Sequence, residues 1–226
     1  MIILKIVLWI ATIAAVVGVG AFFADIIQQQ GGDHKPYGPY EGFIKRPLDA
    51  FLATGALLVL SPILLILTVV GAIKMKGNPF FTQKRPGWNE KIFKLIKFRS
   101  MNSAKDKNGV LLPDVQRITG YGHFIRNTSL DELPELFNIV KGDMSIVGPR
   151  PPIPEEVAEY EPWHRMRLSV TPGLTCIWQV SGRSNIPFEG QMRLDNDYIR
   201  RDGKIGEDIK LILKTFKVVF KGDGAY

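Results

Sequence analysis

Two long apolar stretches occupy the first third of the chain, and polar, turn-rich sequence follows them. Ile2 to Ile27 holds only Lys5 and Asp25 as charged residues, both near its ends. As a helix it would be about 39 Å long, enough to cross a hydrocarbon core of roughly 30 Å. A cleaved signal peptide is the competing reading, because Lys5 precedes the apolar run. The length of that run and the poor cleavage neighbourhood at Val19–Phe23 favour a retained transmembrane helix. The second stretch, Leu48 to Ile73, opens with Lys45-Arg46-Pro47-Leu48-Asp49 and carries Ser61-Pro62 in its middle. Proline lacks an amide hydrogen and clashes with the preceding turn, so a bend or break is expected near Ser61.

Charge placement then constrains topology. Lys45 and Arg46 flank one end of the second stretch, while Lys74, Lys76, Lys84 and Arg85 follow the other. Two full crossings would leave Lys35, Lys45 and Arg46 outside, against the positive-inside tendency. A broken helix that dips in and returns keeps every basic flank on the cytoplasmic side; an ordinary proline-kinked span is the alternative. Amide groups freed at a break would need partners within the element, since lipid supplies none.

From Lys74 onward the pattern predicts one compact mixed α/β domain. Phe80–Gln83 reads as a short strand, and Lys91–Arg99 alternates apolar and basic residues as a strand or an interfacial element. Ala104–Val115, with Gly109 and Pro113, reads as a loop. Ser129 is placed to cap a helix starting at Leu130, with Glu132 three positions later and Pro134 allowed in a first turn. Pro149–Pro154 is extended. Helices are expected over Glu155–Leu168, Phe188–Arg200 and Asp208–Phe220. The predicted organisation is a transmembrane helix over 1–27, a polar connector over 28–44, a re-entrant helix over 45–76 and a cytoplasmic domain over 77–226. The fold class is thus a mixed α/β membrane-associated domain with a re-entrant, proline-broken helix and one additional N-terminal transmembrane helix.

Composition narrows the chemistry only partly. The 226 residues carry 29 Lys and Arg against 22 acidic residues, a formal charge of +7. That balance suits nucleic acid, an anionic bilayer or a phosphorylated substrate, and does not choose among them. The single Cys176 excludes an internal disulfide and a cysteine-rich zinc site. There is no Gly-rich phosphate loop ending in Lys-Ser or Lys-Thr, no dinucleotide fingerprint and no zinc-protease motif. His34, His123 and His164 form no recognisable triad.

The richest chemistry lies in Thr128–Pro134 and Asn138–Pro151. Asp131 and Glu132 are neighbours, so on a regular helix they point about 100° apart. One can face a pocket while the other orients it or binds a metal, and helix-start amides favour both charges. A phosphate could approach them only with cations present; Lys97, Arg99, Arg117, Arg126 and Arg150 supply that charge, and Arg grips phosphate with two nitrogens. Most Asp-Glu pairs are caps or solvated surface. Asp143 after Gly142 often marks only a turn. Arg183 suits a phosphate or a rim, and Trp178 and Gln179 suit a base or sugar, with core packing equally open for the Trp.

Together these blocks resemble the bacterial sugar transferase family, the monotopic polyprenyl-phosphate phosphoglycosyl transferases. The resemblance is carried by Lys45–Asp49 with the Ser61-Pro62 pair, Gly77–Gly87, Lys97–Met101, Arg117–Thr119 and Arg126–Pro134. It continues through Gly142–Pro151, Pro172–Thr175, Trp178–Arg183 and Asp197-Tyr198. It implies that Asp131 is the nucleophile and Glu132 its dyad partner, with Mg2+ as cofactor; Asp131 and Asp143 are the candidate metal ligands, and whether Asp143 touches metal or supports the loop before Arg150 stays open. Lys97, Arg99, Arg117, Arg126, Arg150 and Arg183 would bind substrate phosphate, and Trp178 and Gln179 would line a nucleotide or sugar pocket. The implied reaction moves a sugar-1-phosphate from a UDP-sugar to undecaprenyl phosphate through an aspartyl-phosphosugar intermediate, releasing UMP, as the first membrane step of surface glycan synthesis.

On that resemblance residues 77–226 form the phosphoglycosyl transferase domain, facing the cytoplasm at the bacterial inner membrane. The implied partners are the UDP-sugar, undecaprenyl phosphate and the lipid bilayer, with no nucleic acid; a homodimer stays open. Against the family pattern, the chain looks like a minimal catalytic unit with one anchoring helix added, and Cys176 stands where Gly is common. The donor sugar and the glycan stay open. A membrane-tethered nucleic-acid or scaffold protein is the competing class, and it predicts that Asp131→Asn is tolerated.

Overall fold

The structure, a computed structural model, describes residues 38–182, 185–200 and 205–221. The predicted helix over 1–27 and most of the 28–44 connector lie outside the described residues. A π-helical turn, Tyr40–Ile44, leads into a 31-residue helix, α1 (Lys45–Met75). Their combined run, Tyr40–Met75, is long and apolar enough to cross a membrane.

Helix α1 does not break near Ser61, as the sequence led us to expect; it stays helical through Pro62. The physical reason is local. Pro62 cannot donate to the carbonyl of Leu58, four residues earlier, and the Ser61 hydroxyl donates to that carbonyl instead, at 2.8 Å. The serine thereby repairs the gap that the proline opens. Lys76, at φ +50°, ends the helix in the left-handed conformation, its amide bonding to the carbonyls of Ala72 and Ile73.

One side of α1 is buried, through Arg46, Asp49, Ala50, Ala53, Leu67 and Gly71, whereas Phe51, Val59, Leu65, Ile66 and Ile73 are exposed. Both ends attach to the same body of protein. At the start, Arg46 donates to the carbonyls of Ile139 (2.9 Å) and Val140 (3.0 Å), and Lys45 pairs with Asp208. Toward the other end, the Tyr121 hydroxyl donates to the Leu67 carbonyl at 3.1 Å.

Strands β1 (Phe80–Pro86) and β2 (Ile92–Phe98) form an antiparallel hairpin in which Phe80 faces Phe98 and Pro86 faces Ile92. The alternating Lys91–Arg99 segment is therefore a strand, and its Phe93, Leu95 and Phe98 face inward. A short helix α2 (Asp114–Arg117) closes the predicted loop. Helix α3 (Gly120–Asn127) is capped by Thr119, whose hydroxyl accepts from the Gly122 amide at 3.0 Å.

The helix expected from Leu130 is instead a 3-10 turn, Leu130–Glu132, followed by α4 (Glu135–Lys141). Ser129 makes no side-chain cap and sits at φ +54°; Pro134 precedes the first residue of α4. Gly142, at φ +100°, ends α4, a conformation that only glycine adopts without strain. Strand β3 (Ser145–Val147) then pairs in parallel with β4 (Gly173–Thr175). The single helix expected over Glu155–Leu168 is two pieces, α5 (Pro154–Ala158) and a 3-10 helix at His164–Ser169. Pro162, between them, cannot continue the hydrogen-bond ladder. Helix α6 (Phe188–Arg200) has the predicted limits, and α7 runs Ile205–Lys221.

Two clusters weld α1 to the domain. Ala53 meets Phe93, Leu95, Leu136, Ile139, Val140 and Met144. Leu67 meets Phe98 and Ile125, with Leu64, Tyr121, Leu130 and Leu133 packed around them. Close backbone approach holds α3 against the segment that follows β2. A Cβ at Gly122 would stand 1.9 Å from the carbonyl oxygen of Ser100. Gly122→Ala is therefore expected to destabilise the protein by about 3 kcal/mol or more, read as a fall in thermal midpoint in detergent.

Candidate functional site

Asp131 and Glu132 sit in the 3-10 turn between α3 and α4, and the turn is pinned by apolar side chains. Leu130 and Leu133, on either side of the two carboxylates, pack with Leu64 and Leu67 of α1. The carboxylates are thus held beside the apolar helix, at the edge of the domain that touches it.

Glu132 is engaged through one oxygen. Its Oε1 accepts from Lys97 Nζ at 2.8 Å and from both terminal nitrogens of Arg150 at 3.4 Å. Lys97 also lies 3.0 Å from Glu135, a carboxylate in the first turn of α4. Burial alone would push the Glu132 carboxyl up, but Lys97 and Arg150 outweigh it and hold it well below the usual range. Glu135 goes the other way, because burial and the neighbouring Glu132 charge exceed the pull of Lys97. Burial would also lower Lys97, yet the two glutamates keep it firmly charged. The result is a buried acid–base–acid cluster with Lys97 at its centre.

Asp131 takes no part in these ion pairs. Burial, with the adjacent Glu132 charge, pushes its carboxyl up to about 6, against the opposing pull of Lys97 and Arg126. A carboxylate so placed is a stronger base than an ordinary aspartate, and among the described residues no cation pairs with its oxygens. Arg126 is oriented by a 2.8 Å bond from Nε to the Ser100 hydroxyl.

The expected phosphate-binding residues therefore separate into two groups. Lys97, Arg126 and Arg150 converge on the Asp131–Glu132 pair. Arg99 reaches the Phe80 carbonyl at 3.5 Å and Arg117 pairs with Asp114, so neither is bonded to the dyad. Arg183 lies outside the described residues. Asp143 accepts from Lys141 (2.9 Å) and Asn138 (3.2 Å), bonds that brace the end of α4. Gln179 accepts from the Cys176 thiol at 3.0 Å, and it shares a 3-10 turn, Trp178–Val180, with Trp178.

Sequence reading passed over Glu135, Arg85, Arg167 and Asp195. Glu135 follows Asp131 by four positions and Glu132 by three, the spacing of one helix face, and that signal was available. The others meet the site only through folding. Arg85 donates to the Pro151 carbonyl (2.9 Å), and Arg167 donates to the Arg150 carbonyl (2.7 Å) while pairing with Asp195.

For a divalent cation the donor chemistry fits in part. Mg2+ is commonly held by one or two carboxylates together with substrate phosphate oxygens. Asp131, outside the ion pairs, suits that arrangement; Glu132 and Asp143 already hold basic partners.

Chemically, one basic carboxylate beside three cations and an apolar helix is equipped to attack a phosphorus centre at a lipid surface. Residues 40–222 match the bacterial sugar transferase family. The galactosyl transferase CpsE of Streptococcus agalactiae is 43% identical over an alignment 196 residues long that covers 80% of this chain and 43% of that protein. The undecaprenyl-phosphate galactose phosphotransferase of Salmonella typhimurium is 37% identical, over 81% of this chain and 42% of its own length. The exopolysaccharide production protein ExoY of Sinorhizobium fredii is 35% identical, over 91% of this chain and 96% of its own length. The chain thus spans less than half of the first two relatives and nearly all of the third. By the extent of the family match and these identities, the chain belongs to the bacterial sugar transferase family.

Proposed function

We propose that this protein transfers a sugar-1-phosphate from a UDP-sugar to undecaprenyl phosphate, as an early step in building a surface glycan. The observation that carries the reading is the division of labour in the dyad: Glu132 is bound by Lys97 and Arg150, and Asp131 is left outside the ion pairs with its basicity raised. In the first displacement, an Asp131 carboxylate oxygen attacks the sugar-bearing phosphorus. The bond to the bridging oxygen breaks, and UMP departs with the electron pair. In the second, a phosphate oxygen of undecaprenyl phosphate attacks the same phosphorus and the Asp131–phosphorus bond breaks. The products are the polyprenyl diphosphate sugar and the regenerated carboxylate.

Arg150, Lys97 and Arg126 place positive charge where both displacements build negative charge. Arg99 and Arg117 are proposed for the outer part of the donor site, Trp178 and Gln179 for its base or sugar end, and Arg183 for binding substrate phosphate. Mg2+, held by Asp131 and the donor diphosphate, would neutralise charge on the departing phosphate. For Asp143 the bonds to Lys141 and Asn138 favour support of the loop over a metal role.

The membrane arrangement proposed is an unbroken α1 that lies along the cytoplasmic face of the inner membrane with its exposed apolar side in the lipid, and residues 1–27 as a separate anchor. Two observations support it: the basic residues at both flanks of α1, and the bonds that tie both of its ends to one body of protein. The exposed Phe124 and Phe137, on the helices flanking the dyad turn, suit the same depth. A homodimer is compatible with this arrangement and is not needed by it.

The test is UMP release from a panel of UDP-sugars by the full chain in nanodiscs, with undecaprenyl phosphate present. At least one donor is expected to give UMP and a polyprenyl diphosphate sugar in equal amounts. UMP without lipid product, or no reaction with any donor, would count against the proposal.

A further inference from the structure

The segment that carries Arg150 is held by its backbone, and the holding groups are charged and buried. Three consecutive carbonyls are engaged. That of Pro149 accepts from the Gly173 amide (2.8 Å), that of Arg150 from Arg167 (2.7 Å), and that of Pro151 from Arg85 (2.9 Å). Pro149 and Pro151 on either side of Arg150 donate nothing, so its local conformation depends on what grips these oxygens. Arg167 is 4% exposed and Asp195, 2.7 Å away, is 1% exposed. Arg167 also donates to the Tyr160 hydroxyl at 2.8 Å.

A buried ion pair of this kind gains little stability over well-packed apolar residues, because both charges lose their hydration. Its geometry has another consequence. Nη1 donates to the Tyr160 hydroxyl and faces the Met192 sulfur at 3.4 Å, so Nη2, drawn to Asp195 at 2.7 Å, is the nitrogen left to donate to the Arg150 carbonyl. From the backbone held in this way, the side chain of Arg150 reaches Glu132 at 3.4 Å. We propose that the Arg167–Asp195 pair is a positioning device for Arg150, setting the guanidinium that Glu132 and the donor phosphate share. The inference rests on the transferase reading for its catalytic consequence and on geometry alone for the positioning.

The test is a double-mutant cycle in the full chain, read as kcat/KM for UMP release. Arg150→Ala should lose about 100-fold. Arg167→Lys keeps a charge for Asp195 but cannot reach Asp195, Tyr160 and the carbonyl together; it should lose about 10-fold with a nearly unchanged thermal midpoint. Combined, they should lose about 100-fold, because Arg167 acts only through Arg150. Losses that multiply to about 1000-fold, or full activity in Arg167→Lys, would overturn the proposal.

Asp195→Asn, which releases Arg167 without changing volume, should behave as Arg167→Lys does if the latter folds poorly. Hydrogen exchange gives a readout free of catalysis: Arg167→Lys should speed exchange over residues 144–150 and leave the β1–β2 hairpin unchanged. Uniformly faster exchange, or none, would speak for a purely structural pair. A wild-type protein that released no UMP would count against the transferase reading, and the exchange result would still decide the positioning.

Discussion

Replacing Asp131 with asparagine is expected to abolish sugar-phosphate transfer, by at least about 10³-fold, while the protein still folds and enters the membrane. The amide is nearly the same size, accepts no proton and cannot form the acyl phosphate. The same change should stabilise the protein at neutral pH. Burial and Glu132 raise the Asp131 carboxyl to about 6 in the folded state, above its unfolded value. The folded protein therefore binds that proton more tightly than the unfolded chain, and its stability falls as pH rises from about 4 to about 6. The neutral amide of the Asp131→Asn protein carries no such cost. A gain of about 1–3 kcal/mol is expected at pH 7.5 and none at pH 4, measurable as thermal midpoints of both proteins at the two pH values. A nucleic-acid or scaffold protein would tolerate the substitution in its function, so loss of transfer also separates the two classes.

Lys97→Met should have the largest effect on stability. Its ammonium lies 2.8 Å from Glu132 and 3.0 Å from Glu135, and all three groups are largely shielded from water. Removing the cation strands two carboxylates beside each other, at a cost of about 3–5 kcal/mol at neutral pH. Transfer should fall by about 100-fold or more, since Glu132 loses a partner and the donor loses a neighbouring cation. A second change, Glu135→Gln, removes one of the stranded charges. The Lys97→Met/Glu135→Gln protein should regain much of the lost thermal stability and none of the activity. Equal recovery of both would place Lys97 outside the chemistry.

The parts of this fold legible in sequence are those written locally. The apolar run of α1, the alternating residues of β2 and the limits of α6 all follow from periodicity. The Asp131-Glu132 pair stands out through the long, ordered blocks around it, but charge alone named five cations for it and did not separate Lys97, Arg126 and Arg150 from Arg99 and Arg117, which bond elsewhere. Errors arose where one residue compensates another. Pro62 signalled a break, and the Ser61 hydroxyl bonds the carbonyl that the proline leaves unpaired. Ser129 signalled a cap, yet its backbone turns left-handed and the helix begins beyond Pro134. Pro162 divides a segment whose composition otherwise favours one helix. The Arg167–Asp195 pair leaves no local trace, because its meaning lies in a carbonyl brought close only by β3 and β4 pairing.

The central claim is that Asp131 becomes covalently bonded to the sugar phosphate. A single-turnover experiment tests it most directly: the full chain in nanodiscs, a reactive UDP-sugar, and no undecaprenyl phosphate, with rapid quenching and mass analysis of the protein. The account predicts about one equivalent of UMP per active protein. It also predicts a mass increase of one sugar phosphate on the peptide containing Asp131, lost on adding the lipid acceptor. UMP release that depends strictly on acceptor, with no adduct at Asp131, would contradict it.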